Sequence, residues 1–345
     1  MSSDSHKTTT NHYMDKTKML LQDMPDYVKS FIREIHNNTS ERTQYEYTLD
    51  IRNMLTYFAV GKELTEITLQ DLDNLPKERF EDYLEYLEHY EENGKDIYNG
   101  RASIKRKLSA IRNFMDYLFQ EGKIQNTDIR KIPVPKVPES NIIHLEPNEV
   151  KNLIKVIRHG EGLTKKQQDY HKLQSVRDLA IAFLILASGI RVSECAELDV
   201  TDINLEKSYA RIVRKGGDES VVYFSDEATV YLADYMEYRK TIKGIDNEPA
   251  LFISSQKRRM SVRSIENMIT KYAKMAVPEK RITPHKLRAT YATQLYEATG
   301  DIYLVAENLG HKDVQTTKEH YANISDMHKQ QSRNILCYEN DLENS

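Results

Sequence analysis

Lys131–Ser140 reads KIPVPKVPES, and this stretch decides how the chain is divided. Pro133, Pro135 and Pro138 each lack a backbone donor and lock φ, so no regular helix passes through and an extended, stiff linker is expected over 129–143. On its two sides lie 23–128 and 144–345, each long enough to build a core of its own. Residues 1–22, beginning MSSDSHKTTTNHY, are polar and show neither an apolar stripe nor the apolar run of a secretory signal. They are expected to form a disordered tail.

Upstream of the linker the apolar residues keep helical spacing. Tyr47, Ile51, Met54, Leu55 and Phe58 form one stripe, behind Ser40 and Glu41, which suit a helix start. Phe80, Tyr83, Leu84 and Leu87 form a second, and Ile104, Leu108, Ile111, Met115 and Leu118 a third that ends near Gly122. From about Met24 to Gly122 the segment therefore reads as all-helical. On its last helix Arg101, Lys105, Arg106 and Arg112 fall mostly off the stripe, so that helix can pack on a bundle and still present a positive face.

Downstream the pattern is mixed. Glu146, Pro147 and Glu149 open a helix carrying Val150, Leu153, Ile154 and Ile157. Ser175–Ser188 is nearly continuous apolar helix and should be central core. A hairpin follows, Tyr209–Val213 and Ser220–Phe224 about a Gly216–Gly217–Asp218 turn, with Leu251–Ile253 as a short third strand. Thr283 and Pro284 then open another helix as cap and first turn. The fold class expected is α+β, mainly α with a small β-sheet.

Composition narrows the function classes. With 39% hydrophobic and 30% charged residues, and no apolar run near the ~20 residues of a membrane span, a soluble protein is expected, with no membrane partner. Cys195 and Cys337 are too few for a disulfide framework, which points to the reducing cytoplasm; Cys195, in an apolar stretch, reads as a small core residue. The net charge of −4 conceals a segregation. Glu63–Glu92 is strongly acidic, Arg101–Arg112 is basic without an acid, and Lys257–Arg288 is again basic. Charge fields decay over roughly 8 Å at physiological salt, so one face can bind phosphates while another stays acidic. Arg101, Lys105, Arg106, Arg112, Lys257, Arg258 and Arg259 are the candidate DNA contacts.

Four stretches of the second segment carry chemistry: SGIRVSE (Ser188–Glu194), VRKGG (Val213–Gly217), TPHKLRATYAT (Thr283–Thr293) and LGHKDVQTTKEHY (Leu309–Tyr321). Together they resemble the tyrosine recombinase, or phage integrase, family, whose marks occur here in order. These are an arginine in an S/T-G-x-R-x-S-E context, a hairpin lysine, H-x-x-R, L-G-H, and a tyrosine about ten residues after that histidine. RDLAIAFLILASGIRVSE, TPHKLRATYATQLYEAT and MPDYV bring the wording close to the single-enzyme Xer recombinases of streptococci and their relatives. Ala289 departs from the pattern, since many members carry histidine there, but the position is outside the core chemical set.

These residue types suit covalent cutting of a phosphodiester, which needs a nucleophile, charge stabilisation and a proton donor for the leaving oxygen. Arg191 and Arg288 can clamp the phosphoryl oxygens, because the guanidinium fork stays charged and bonds two oxygens at once. His285 lies three residues before Arg288, so both can face one phosphate. Tyr321 is the candidate nucleophile; a phenol of ordinary pKa near 10 needs neighbouring cations to attack. The resemblance implies that Lys215 protonates the leaving 5′ oxygen, that His285 and His311 assist the transition state, and that Glu194 orients the site. A phosphotyrosyl bond would conserve the energy of the cut, so neither nucleotide nor metal cofactor is expected. No phosphate-binding glycine loop is present, and no further ligand recurs with His311 and His320.

The resemblance implies a helical core-binding domain and a catalytic domain closing as a C-shaped clamp on double-stranded DNA. It also implies an inverted-repeat target, a homotetramer in the synaptic complex, and a DNA translocase or other accessory protein as a possible partner. The role expected is Xer-like resolution of chromosome dimers. Other readings are integration or excision of a mobile element, a type IB topoisomerase acting as a monomer, and a DNA-binding protein without cleavage.

Overall fold

The computed structural model describes residues 4–59, 61–92, 94–137, 142–214, 217–311 and 314, with side chains from His12 onward except Leu173. The chain divides into two compact units, Met1–Glu139 and Ser140–Ser345.

In the first unit α1 (Asp4–Leu21), α2 (Asp26–Glu34), α3 (Glu41–Phe58), α4 (Leu69–Asp73) and α5 (Lys77–Glu88) lead into a hairpin, β1 (His89–Glu92) and β2 (Lys95–Tyr98), and then α6 (Arg101–Gln120). The three apolar stripes meet in one core, with Phe31, Met54, Leu55, Phe80, Tyr83 and Phe114 nearly solvent-free. Ser40 caps α3, its hydroxyl accepting from the Thr43 N–H.

Three expectations for this unit need correction. The residues expected as a disordered tail, 1–22, include the 18-residue helix α1. It has little apolar face, but it docks on α3: Tyr13 packs on Tyr45, Thr17 is buried, and Arg52 donates to Leu20 O and Asp23. Tertiary contact sustains a helix that its own pattern would not. The segment read as all-helical is interrupted by the β1–β2 hairpin, in which Glu92 pairs with Lys95 and Gly94 takes φ +73°. The Asn93–Gly94 dipeptide was the available signal. The third concerns the linker. A short 3₁₀ turn, Asp128–Lys131, presses Ile129 and Ile132 into the first core, and Arg112 donates to the carbonyls of both. The first unit thus keeps the chain through Ile132.

The second unit contains α7 (Pro147–His159), α8 (Lys165–Ser188), α9 (Val192–Glu197), β3 (Ile203–Asn204), β4 (Tyr209–Val213), β5 (Glu219–Tyr223), α10 (Asp226–Lys240), α11 (Val262–Ala276), α12 (Pro284–Thr299) and α13 (Ile302–Leu309). Helix α8 is the centre of this core; Ala180, Ile181, Ala182, Leu184 and Ile185 lie at 0% exposure. Cys195 is buried there too, its thiol pushed up by burial. Strands β3, β4 and β5 form one antiparallel sheet, with Tyr209 opposite Tyr223 and Val213 opposite Glu219.

Leu251–Ile253 does not join that sheet, so the expected third strand is replaced by β3. The segment's backbone bonds instead to loops and side chains: the Leu251 N–H donates to Leu198 O, the Met260 N–H to Phe252 O, Tyr235 Oη to Leu251 O and Arg177 Nη1 to Ile253 O. Thr283 stands at the cap of α12 with Pro284 in the first turn, but its hydroxyl makes no capping bond.

Candidate active site

Helices α8 and α13 both end on a glycine in the left-handed region, Gly189 at φ +63° and Gly310 at φ +61°. Neither position has room for a side chain. A Cβ at Gly189 would strike the Tyr291 ring, and one at Gly310 would strike the Arg214 guanidinium. The close approach of two helix C-termini leaves carbonyls with a partial negative charge, which favours a cation between them.

Arg288 supplies it. From the second turn of α12, at 5% exposure, its Nη1 donates to Gly189 O at 2.5 Å and its Nη2 to Leu309 O. One side chain therefore joins the stretch carrying Arg191 to the stretch carrying His311, and itself stands on the helix carrying His285. His311 follows the α13 cap, its N–H donating to Ala306 O. His285 lies exposed in the first turn of α12.

Arg191 caps α9 from its N-terminus, and Glu194 holds it there. The carboxylate accepts from the Arg191 N–H at 2.9 Å and from Nη1 at 2.9 Å. Glu194 is 5% exposed, whereas the Arg191 side chain is 36% exposed, so an anchored base carries a guanidinium open to an incoming anion. Arg214, which sequence reasoning passed over inside VRKGG, also enters this region and donates Nη2 to Asn308 O at 3.3 Å. Its partner lies 94 positions away, so no local pattern could have pointed to it. Lys215 and Tyr321 lie outside the described residues.

The candidate DNA contacts separate into two groups. Arg101, Lys105, Lys257 and Arg258 are exposed. Arg106 is exposed as well, and is oriented by Asp50, a 2%-exposed carboxylate on α3 that takes Nη1 at 2.6 Å and Nη2 at 3.0 Å. Lys107 shares the same carboxylate at 3.3 Å. Arg112 and Arg259 face inward instead. Arg112 holds the Ile129 and Ile132 carbonyls, and Arg259 those of Ala196 and Leu198 together with Asp199. Both guanidiniums are thus held by carbonyls of their own unit, whereas the other five candidates are exposed.

Comparison with known proteins gives the family of the chain. The phage integrase family matches residues 144–328, and the phage integrase N-terminal SAM-like domain matches 28–122. The tyrosine recombinase XerS of Streptococcus agalactiae is 32% identical, covering 92% of this chain and 97% of the relative; XerS of Streptococcus mutans is 30% identical over the same shares. The chain belongs to the phage integrase family, as a tyrosine site-specific recombinase of the Xer type. Among solved structures, the fold is similar to XerH site-specific recombinase in a post-cleavage complex with palindromic difH substrate. That match has a TM-score of 0.64 at 17% identity and covers 94% of this chain and 96% of the other. It is also similar to a lambda integrase dimer bound to a COC' core site, with a TM-score of 0.62 at 15% identity, covering 86% and 94%. No described helix is long and apolar enough to cross a membrane.

Proposed function

We propose that this recombinase cuts double-stranded DNA with Tyr321 and rejoins it through a 3′-phosphotyrosyl intermediate, acting as a single-enzyme resolver of chromosome dimers. The Tyr321 oxygen attacks the scissile phosphorus and forms a P–O bond as the bond to the 5′ oxygen breaks. The Lys215 ammonium gives that oxygen its proton, and the phenol proton passes to the histidine pair. Arg191 and Arg288 bond the non-bridging oxygens, whose charge grows in the transition state. Attack by a 5′ hydroxyl of the partner strand reverses these steps, so the bond energy is conserved and no nucleotide is consumed.

The observation that carries this assignment is Arg288, which ties Gly189 O to Leu309 O and so gathers the segments of Arg191, His285 and His311. The full-length likeness to XerS recombinases favours the chromosomal role over that of a mobile-element integrase. We further assign DNA contact to Arg101, Lys105, Arg106, Lys257 and Arg258, with four protomers acting on two inverted-repeat sites.

Mapping covalent protein–DNA adducts across the source genome is expected to recover one inverted-repeat site. Tyr321→Phe should form no denaturant-resistant adduct with a nicked duplex of that site, while binding it nearly as well as the parent protein. An adduct formed by Tyr321→Phe would place the nucleophile elsewhere.

A further inference from the structure

Strands β4 and β5 are antiparallel neighbours, and Lys215 falls between them in the sequence. The last rung is closed by the Arg214 N–H donating to Asp218 O at 2.8 Å, and the Gly217 N–H donates back to Arg214 O at 3.0 Å. At the facing ends of the two strands Val213 and Glu219 are exposed. Arg214 turns the other way. Its Nη2 reaches Asn308 O at the end of α13, and its guanidinium lies over Gly310 in the space a Cβ would need.

The Arg214 side chain is half-buried, and its charge is incompletely compensated. Nη1 is buried without a hydrogen-bond partner among the described residues, an arrangement that leaves a desolvated donor unpaired. Burial lowers the pKa of Arg214; Glu194 opposes that shift and Arg191 adds to it, so the group stands within electrostatic reach of the Arg191–Glu194 pair. A small residue at 214 would carry no such donor. The position also has leverage on its neighbours, since consecutive Cα atoms are about 3.8 Å apart. Lys215 follows Arg214 directly, and His311 follows Gly310.

We propose that Arg214 is a positioning residue for strand cleavage: it fixes the chain at the end of β4, one residue before Lys215 in the sequence, against the Leu309–Gly310–His311 turn, and so supports proton delivery to the leaving oxygen. The proposal rests on the roles given above to Lys215 and Tyr321, and its test separates the two. Nicked duplexes of the mapped site are prepared with an ordinary 5′-bridging oxygen or with sulfur in its place. A thiolate leaves without needing a proton, so only proton delivery is bypassed.

Arg214→Ala should lose on the order of 10²-fold in single-turnover cleavage of the oxygen substrate, the scale of one general-acid contribution. It should recover most of that loss on the sulfur substrate, with Arg214→Lys intermediate on oxygen. Wild-type rates for Arg214→Ala on oxygen, or an equal loss on both substrates, would overturn this role. If Arg214→Ala has no cooperative melting transition, Arg214→Lys is judged by the same comparison. A wild-type protein that forms no adduct with either substrate would instead overturn the Tyr321 assignment.

Discussion

Arg288 and Arg191 are both assigned to the phosphate in the proposed mechanism, yet they are built in differently. Arg288 is 5% exposed and bonds two carbonyls from different helix ends, a task that needs a planar fork. Arg191 needs only the Glu194 carboxylate beside it, at 2.9 Å. A lysine can keep the second arrangement, but its single nitrogen would have to reach both of the carbonyls that Arg288 meets with two. Arg288→Lys is therefore expected to lower the stability of the protein by about 1–2 kcal/mol through a carbonyl left unsatisfied, in addition to impairing cleavage. Arg191→Lys should leave melting nearly unchanged while slowing cleavage by on the order of 10²-fold. Thermal melts and single-turnover rates of the two variants check this together. Equal melting shifts would mean that the double attachment of Arg288 adds no stability.

At the scale of elements, Lys280 sets where the second unit begins. From the loop after α11 its Nζ donates to His144 O at 3.2 Å and to Glu149 Oε2 at 2.6 Å, while Glu149 also accepts from the Glu146 N–H at 2.7 Å. Burial alone would raise the Glu149 carboxyl, but the Lys280 ammonium and the Glu146 N–H outweigh it and hold the group below its usual range. A carboxyl depressed on folding contributes stability that is present above its unfolded value and is lost as pH falls through its folded value. Lys280→Ala should thus cost about 1 kcal/mol at neutral pH, a modest figure because both side chains retain solvent contact. The penalty should shrink well below the ordinary carboxylate range near 4. Urea titrations of both proteins at the two pH values test it; a penalty that did not change with pH would assign the effect to the His144 carbonyl bond.

For the whole molecule, chemistry and assembly are expected to be separable. The reaction conserves bond energy, so strand cleavage should proceed in EDTA and without ATP. A strict divalent-metal requirement would overturn the proposed chemistry. One protomer cuts one strand, and exchange between two duplexes needs four cuts. The segment 325–336 lies outside the described residues; its sequence carries Met327, Ile335 and Leu336 among polar residues, too few for a core, and we propose that it docks on a neighbouring protomer. Deleting the chain beyond Ile324 should weaken cooperative loading and synapsis, seen in native gels with paired sites, more than binding of one protomer to a half-site. Normal recombination by the truncated protein would refute docking of that segment on a neighbour.

Local sequence determined most of the helices and the type of chemistry. Stripes such as Ile104, Leu108, Ile111, Met115 and Leu118 report burial through a 3.6-residue period that needs no partner to be read, and all five are buried in α6. Residue type and short spacing likewise marked Arg191, His285, Arg288 and His311. Tertiary structure alone decided what lies across long separations. Helix α1 forms on α3 despite a polar sequence, and Leu251–Ile253 stays outside the sheet, with Tyr235 and Arg177 on two of its carbonyls. Arg112 and Arg259 satisfy carbonyls within their own units, while Arg106 stays exposed on the buried Asp50. Each of these outcomes depends on which buried carbonyl or carboxylate a long side chain can reach in three dimensions. Periodicity and composition carry no record of that distance.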